Sequence, residues 1–121
     1  MVQVIKVLDD VTATTTSQAV NIEGAKKVVL VYKRSDHGSG KTVFTGTVSV
    51  DNSNYITYSK WISNTTNTNE QAVTRVAEVD TGAANVCGFL TMDPDDGFGY
   101  IKITATETND GTHAAWLYIE Y

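Results

Sequence analysis

A chain of 121 residues, 41% hydrophobic and 19% charged, can bury one core; two cores would each be marginal, and the apolar fraction is too high for a disordered chain. Nine Lys and Arg against fourteen Asp and Glu give a net charge of −5, which argues against the clustered basic surface that grips nucleic acid or an anionic membrane. Eighteen threonines and fifteen valines beside a single proline, Pro94, suit pleated strands and argue against a helix bundle, a coiled coil or an α/β nucleotide fold.

Residues 2–8 alternate as a first strand, closed by Asp9-Asp10. This N-terminus lacks the basic and apolar regions of a signal peptide, and no apolar stretch approaches the roughly 20 residues that span a bilayer. The expectation is a soluble chain made in the cytosol. Residues 11–16 and 19–22 read as short strands. Within 26–34 the unbroken apolar run Val28-Val29-Leu30-Val31-Tyr32 predicts a central strand covered on both faces. Residues 35–40, rich in Gly and Ser, predict a hairpin turn.

Residues 42–51 alternate most clearly, with Phe44, Gly46, Val48 and Val50 on one face and Thr45, Thr47 and Ser49 on the other. Asp51-Asn52-Ser53-Asn54 predicts a tight hairpin into a strand over 55–62. Residues 63–69 read as an exposed polar loop, in which Asn64-Thr65-Thr66 matches a glycosylation acceptor that means little without a secretion signal. Over 70–80, Ala72, Val73, Val76 and Ala77 fit a helix that Asn69 would cap, but the β-branched content favours a strand. A turn at 81–85 leads to a strand over 86–93, where Cys87 reads as a small buried hydrophobe. After the turn at 94–97, residues 98–106 alternate again. Asn109-Asp110-Gly111 then predicts a hairpin into a last strand, 113–121, with large aromatics on both faces. Eight to ten short strands at this spacing predict an all-β fold: one domain over 1–121, an antiparallel two-sheet β-sandwich, jelly-roll-like.

Several constellations suggest chemistry and fail on spacing. Residues 35–42 end in Gly40-Lys41-Thr42 but carry Ser35 where a phosphate loop needs Gly, and a strand follows where a helix must open. Ser35, Asp36 and His37 are neighbours on an extended chain, so their side chains diverge; a hydrolase would need His37 to meet an acid in a cleft. Counted from Asp93, the acidic turn misses the EF-hand register at positions 5 and 12. A solvated acidic turn is the plain reading, a calcium site on Asp93, Asp95 and Asp96 the alternative. One cysteine and two histidines, His37 and His113, do not make a zinc site or a disulfide framework. The expectation is therefore no catalytic residue, metal or cofactor, and not an enzyme. The residues open to ligand or interface duty are the aromatics Tyr58, Trp61, Trp116, Tyr118 and Tyr121. Tyr58 and Trp61, near Asn64, would suit a sugar-stacking platform if exposed; otherwise such residues fill a core or an interface.

Three stretches carry a family resemblance. They are Gly24-Ala25-Lys26-Lys27-Val28-Val29-Leu30-Val31-Tyr32-Lys33-Arg34-Ser35-Asp36-His37, Asn67-Thr68-Asn69-Glu70-Gln71-Ala72-Val73-Thr74-Arg75-Val76-Ala77, and Lys102-Ile103-Thr104-Ala105-Thr106-Glu107-Thr108-Asn109-Asp110-Gly111-Thr112-His113. In these the chain resembles small β-sandwich virion proteins of tailed bacteriophages. The resemblance implies a structural subunit of the particle: a capsid decoration or stabilising protein, or a head-fibre or tail component. It implies partners among other virion proteins, a homo-oligomer and no catalytic residues. The competing expectation is a carbohydrate-binding module for attachment to a host or polysaccharide surface.

Overall fold

The computed structural model of the protein describes residues 1–35, 40–63, 74–82, 85–93, 96–109 and 111–121. Among these, twelve strands and no helix occur: β1 (Val2–Val11), β2 (Thr15–Thr16), β3 (Val20–Asn21), β4 (Lys27–Ser35), β5 (Gly40–Ser49), β6 (Ile56–Thr57), β7 (Trp61–Ser63), β8 (Thr74–Val76), β9 (Glu78–Asp80), β10 (Val86–Thr91), β11 (Tyr100–Asn109) and β12 (Thr112–Glu120). The first sheet runs β1-β12-β4-β10-β7-β8. The second runs β2-β11-β5-β6, with β3 also on β11 and β9 also on β5. Every pairing is antiparallel. The two sheets pack face to face as a β-sandwich.

The period of two along each strand decides what lies between the sheets. From the first sheet Leu8, Val28, Leu30, Tyr32, Trp61, Leu90, Leu117 and Ile119 point inwards; from the second, Phe44, Val48, Ile101, Ile103 and Ala105 meet them. A fully buried aliphatic side chain contributes about 1.5–3 kcal/mol relative to an exposed one. The longest ladder in the second sheet registers β5 on β11 from Gly40↔Asn109 to Ser49↔Tyr100.

Several expectations from local pattern meet a different arrangement. β4 is central, but only alternate residues are buried; Val29 and Val31 face outwards and are half-buried. Cys87 is exposed, because burial of Leu90 in β10 sets a phase that sends residues 87 and 89 out. Val50 lies past the end of β5 and is 73% exposed, while Ser49 is buried and its hydroxyl donates to Asp51. β4 and β5 lie in different sheets, as do β11 and β12, so neither pair forms the hairpin expected across 35–40 or 109–111. Residues 36–39 and 110 fall outside the described residues. The strand expected over 55–62 also divides: β6 pairs with β5, and the chain changes sheets before β7 pairs with β10. Tyr58 and Trp61, three residues apart, both point inwards, which a single continuous strand does not allow. Of 70–80, residues 74–80 hold the strands β8 and β9, so the strand reading prevails there over the helix; 70–73 lie outside the described residues.

Two local devices hold the second sheet. The Asp51 carboxylate accepts the backbone N–H groups of Ser53 and Asn54, both at 2.9 Å, and the Asn54 side-chain amide at 2.8 Å. These bonds close the hairpin and hold the Asp51 carboxyl well below its ordinary value of 3.8, the Asn54 backbone N–H contributing most. Gly46 makes room for an indole: a Cβ there would stand 2.8 Å from Trp61 Cζ2, and Trp61 is fully buried.

Two predictions follow from these contacts. Gly46→Ala forces the enclosed Trp61 ring or the β5 backbone to move, and urea unfolding is expected to show a loss of about 1–3 kcal/mol. A carboxylate whose folded pKa is depressed stabilises the fold above its unfolded pKa, and that contribution disappears as pH falls through the folded value. Unfolding midpoints measured from pH 7 down to pH 2 should therefore decline below about pH 4, and Asp51→Ala should flatten part of that decline.

Candidate interaction surface

The same alternation gives the sandwich two outer faces of different chemistry. On the second sheet Thr16, Thr45 and Thr104 share a face, as do Thr47 and Thr57. Thr106 and Thr108 continue the series along β11, on a face that also holds Glu78, Asp80, Lys41 and Lys102. Lys41 pairs with Asp80 at 2.9 Å, and the Lys102 ammonium lies 4.3 Å from the Tyr55 ring centroid. Most side chains on this face are polar; Val43 shares it half-buried, and Ile56 in β6 of the same sheet is exposed.

The outer face of the first sheet is apolar at its centre. One row across the strands holds Val4, Tyr118, Val29, Thr91 and Ile62; the next holds Lys6, Trp116, Val31 and Phe89. Val4 is 62% exposed and Phe89 48%. Beyond these rows come Val2, Glu120 and Lys27 at one end, and Ala114, Lys33 and Cys87 at the other. Lys6 pairs with Asp9 at 2.9 Å and Asp10 at 3.5 Å, and its ammonium lies 5.3 Å from the Trp116 centroid. The Asp9 hydrogen bond raises the Lys6 pKa above the usual lysine value. At the β8 edge Arg75 pairs with Asp93 at 2.7 Å. Contiguous exposed apolar surface of this kind marks interaction sites on soluble proteins.

The five candidate aromatics divide between surface and core. Trp116 and Tyr118 stand half-buried on the apolar outer face. Tyr121 is half-buried at its end, packs against the core and donates its hydroxyl to the Asn21 carbonyl at 3.3 Å. Tyr58 and Trp61 are enclosed in the core, ring against ring edge at 5.0 Å, with Phe98 on the other side of Tyr58 at 6.1 Å. The Tyr58 hydroxyl accepts from the Asp93 backbone N–H and donates to Asp96, and burial raises its pKa. The pair is thus closed to a sugar ring. Asp96 also pairs with Lys60 at 3.5 Å, so these acidic side chains are engaged by protein cations. Asp95, with Pro94, lies outside the described residues, as do the 36–39 portion of the phosphate-loop and Ser-Asp-His sequences and residues 64–69 of the polar loop with its glycosylation sequence.

A buried polar cluster went unread in the sequence. Arg34, Thr42 and His113 are almost wholly enclosed, and the Glu107 carboxylate joins them. Thr42 donates its hydroxyl to Glu107 Oε2 at 2.8 Å, His113 Nδ1 lies 3.1 Å from the same oxygen, and an Arg34 guanidinium nitrogen stands 3.7 Å from Oε1. Arg34 also donates to the Gly82 carbonyl at 3.0 Å. Gly111, at φ 137°, leaves space for the guanidinium: a Cβ would come within 2.9 Å of Nε. An acid and a histidine do meet, buried between the sheets, where they link groups from four strands. The available signal was the inward phase of 28, 30 and 32, which continues to Arg34. Glu107→Ala, which strips these groups of their shared carboxylate, should cost about 3–5 kcal/mol by denaturant titration.

No protein-family model matches the chain, and no curated protein matches it significantly. Among solved structures, the crystal structure of the SPBc2 prophage-derived protein YomS is similar, with a TM-score of 0.66 over 99% of this chain and 94% of that one, at 8% sequence identity. The likeness is one of fold.

Proposed function

We propose that the chain is a structural protein of a bacteriophage particle, most simply a capsid decoration or stabilising subunit, that acts by protein–protein contact and performs no chemistry. The observation that carries this reading is the contrast between the two outer faces: an apolar, aromatic face on one sheet and a threonine-covered face on the other. An apolar face is suited to burial against a protein, and a threonine face to water. Two things support the phage setting: the similar fold of a prophage-derived protein, and the resemblance of residues 24–37, 67–77 and 102–113 to phage virion proteins. The carbohydrate-binding alternative loses its platform, because Tyr58 and Trp61 are buried.

The reading predicts that particles of the phage encoding this chain, purified on a density gradient, contain it in stoichiometric proportion to the major capsid or tail protein by quantitative mass spectrometry. Its absence from washed particles, alongside abundant protein in the lysate, overturns the assignment.

A further inference from the structure

We propose that β1 pairs edge to edge with β1 of a second copy of this chain, antiparallel and centred on Val4, joining the two first sheets into one. The inference stands apart from the phage assignment, because it concerns the isolated chain.

The backbone shows where free hydrogen-bonding groups lie. Met1 and Tyr121 exchange two main-chain bonds: the Tyr121 N–H donates to the Met1 carbonyl at 2.9 Å, and the Met1 amine to the Tyr121 carbonyl at 3.4 Å. In an antiparallel ladder such pairs alternate with pairs that exchange none. Continued through Gln3↔Ile119 and Ile5↔Leu117, this pattern turns Gln3 and Ile5 towards β12. The N–H and C=O groups of Val2, Val4 and Lys6 are left on the open edge, and no described residue bonds them.

Sheet edges in soluble proteins are kept from pairing by shortness, bulges, charge or a covering loop. The other edge strands described here are short: β2, β3 and β6 hold two residues each, β8 and β9 three. Within β1 the protective devices crowd the far half. Register shifts follow Lys6 and Leu8, Asp9 and Asp10 are charged, and Asp10 has φ 49°. Residues 2–6 are regular and carry one charge, Lys6. On their outer side Val2 is 50% exposed and Val4 62%.

This segment is complementary to itself, as a two-fold contact requires. Centred on Val4, the axis sets Val2 opposite Lys6, Val4 opposite Val4, and Lys6 opposite Val2. These are three pairs that each exchange two bonds, and Gln3 faces Ile5 in the pairs between them. Centres at Val2, Gln3 or Ile5 give fewer bonded pairs, and a centre at Lys6 sets ammonium on ammonium. In the joined sheet Val2 stands between Glu120, its registered partner, and Lys6 of the second copy. These opposite charges lie two strand spacings apart, about 10 Å, within reach of their side chains. One strand a side is a smaller contact than the standard ~800 Å² per partner, so a weak dimer is expected, with a Kd of about 10–100 µM.

Sedimentation velocity of the full chain, loaded from about 5 to 500 µM, brackets that range. The expected dimer is weakened at least tenfold by Val4→Lys, which opposes two ammonium groups at an exposed position. It is unchanged by Phe89→Glu, three strands away on the outer face. Register has its own readout. Val4→Cys in a Cys87→Ser background places two thiols on Cα atoms about 5.5 Å apart, within disulfide reach, and mild oxidation should link the copies. Val2→Cys in the same background places them four residues, roughly 14 Å, apart along the strands and should not link. A monomer throughout the range, a dimer indifferent to Val4→Lys, a dimer broken by Phe89→Glu, or cross-linking at Val2 without cross-linking at Val4 overturns the proposal.

Discussion

Successive side chains on a strand point to opposite sides, so once two sheets close on each other each strand has only one free choice, its phase. In this protein that choice is made by the apolar residues that must leave water: Leu30 and Tyr32 in β4, Phe44 and Val48 in β5, Ile101 and Ile103 in β11, Leu117 and Ile119 in β12. Everything at the alternate positions is then committed to the outside. A one-residue slip would exchange the two sets on any strand, which is why register is strongly specified wherever one face is buried. The outward placement of Cys87 and Phe89 is a consequence of this constraint, since Leu90 is the residue of β10 that is worth burying.

Closing the sandwich requires concessions at specific points. A fully buried indole needs space on the facing sheet, and Gly46 supplies it; within the first sheet, Tyr32 lies over its cross-strand partner Gly88. At one end the interior contains a carboxylate, a guanidinium and an imidazole instead of hydrocarbon. Burying such groups costs free energy unless they are paired; here Glu107 Oε2 meets Thr42 and His113, and Oε1 faces Arg34 as an ion pair at 3.7 Å. These residues come from β11, β5, β12 and β4, so the cluster ties both sheets at the end where the chain crosses between them.

The functional reading grows from what the closed core leaves outside. A sandwich with two polar faces needs no partner; one with Val2, Val4, Val29, Val31, Trp116, Tyr118 and Phe89 on a single face has apolar surface still in water. The threonines, numerous in the chain, do not soften that face: the described strand threonines gather mainly on the second sheet, where Thr16 and Thr104 bond across strands at 2.9 Å. The larger apolar cluster thus lies on the first sheet, and that is the contact surface proposed for the virion subunit.

Local pattern was enough to specify the class of fold, because period-two alternation and β-branched content are properties of neighbouring residues. It specified the strand after Gly40-Lys41-Thr42 and the Asp51 hairpin, where turn chemistry and pairing coincide. It failed where consecutive strands do not pair, as with β11 and β12, since pairing depends on which distant strand offers a matching face. Cys87 and the Tyr58–Trp61 pair were misread or left open for a related reason: an aromatic or a thiol is equally at home in a core or on a surface until a partner such as Gly46 or Leu30 is placed beside it. By itself, then, the sequence determined that the chain is a sandwich of short antiparallel strands. Only the tertiary structure decided which strands share a sheet, that Arg34, Glu107 and His113 meet, and which face remains uncovered, because each depends on contacts between residues far apart in the chain.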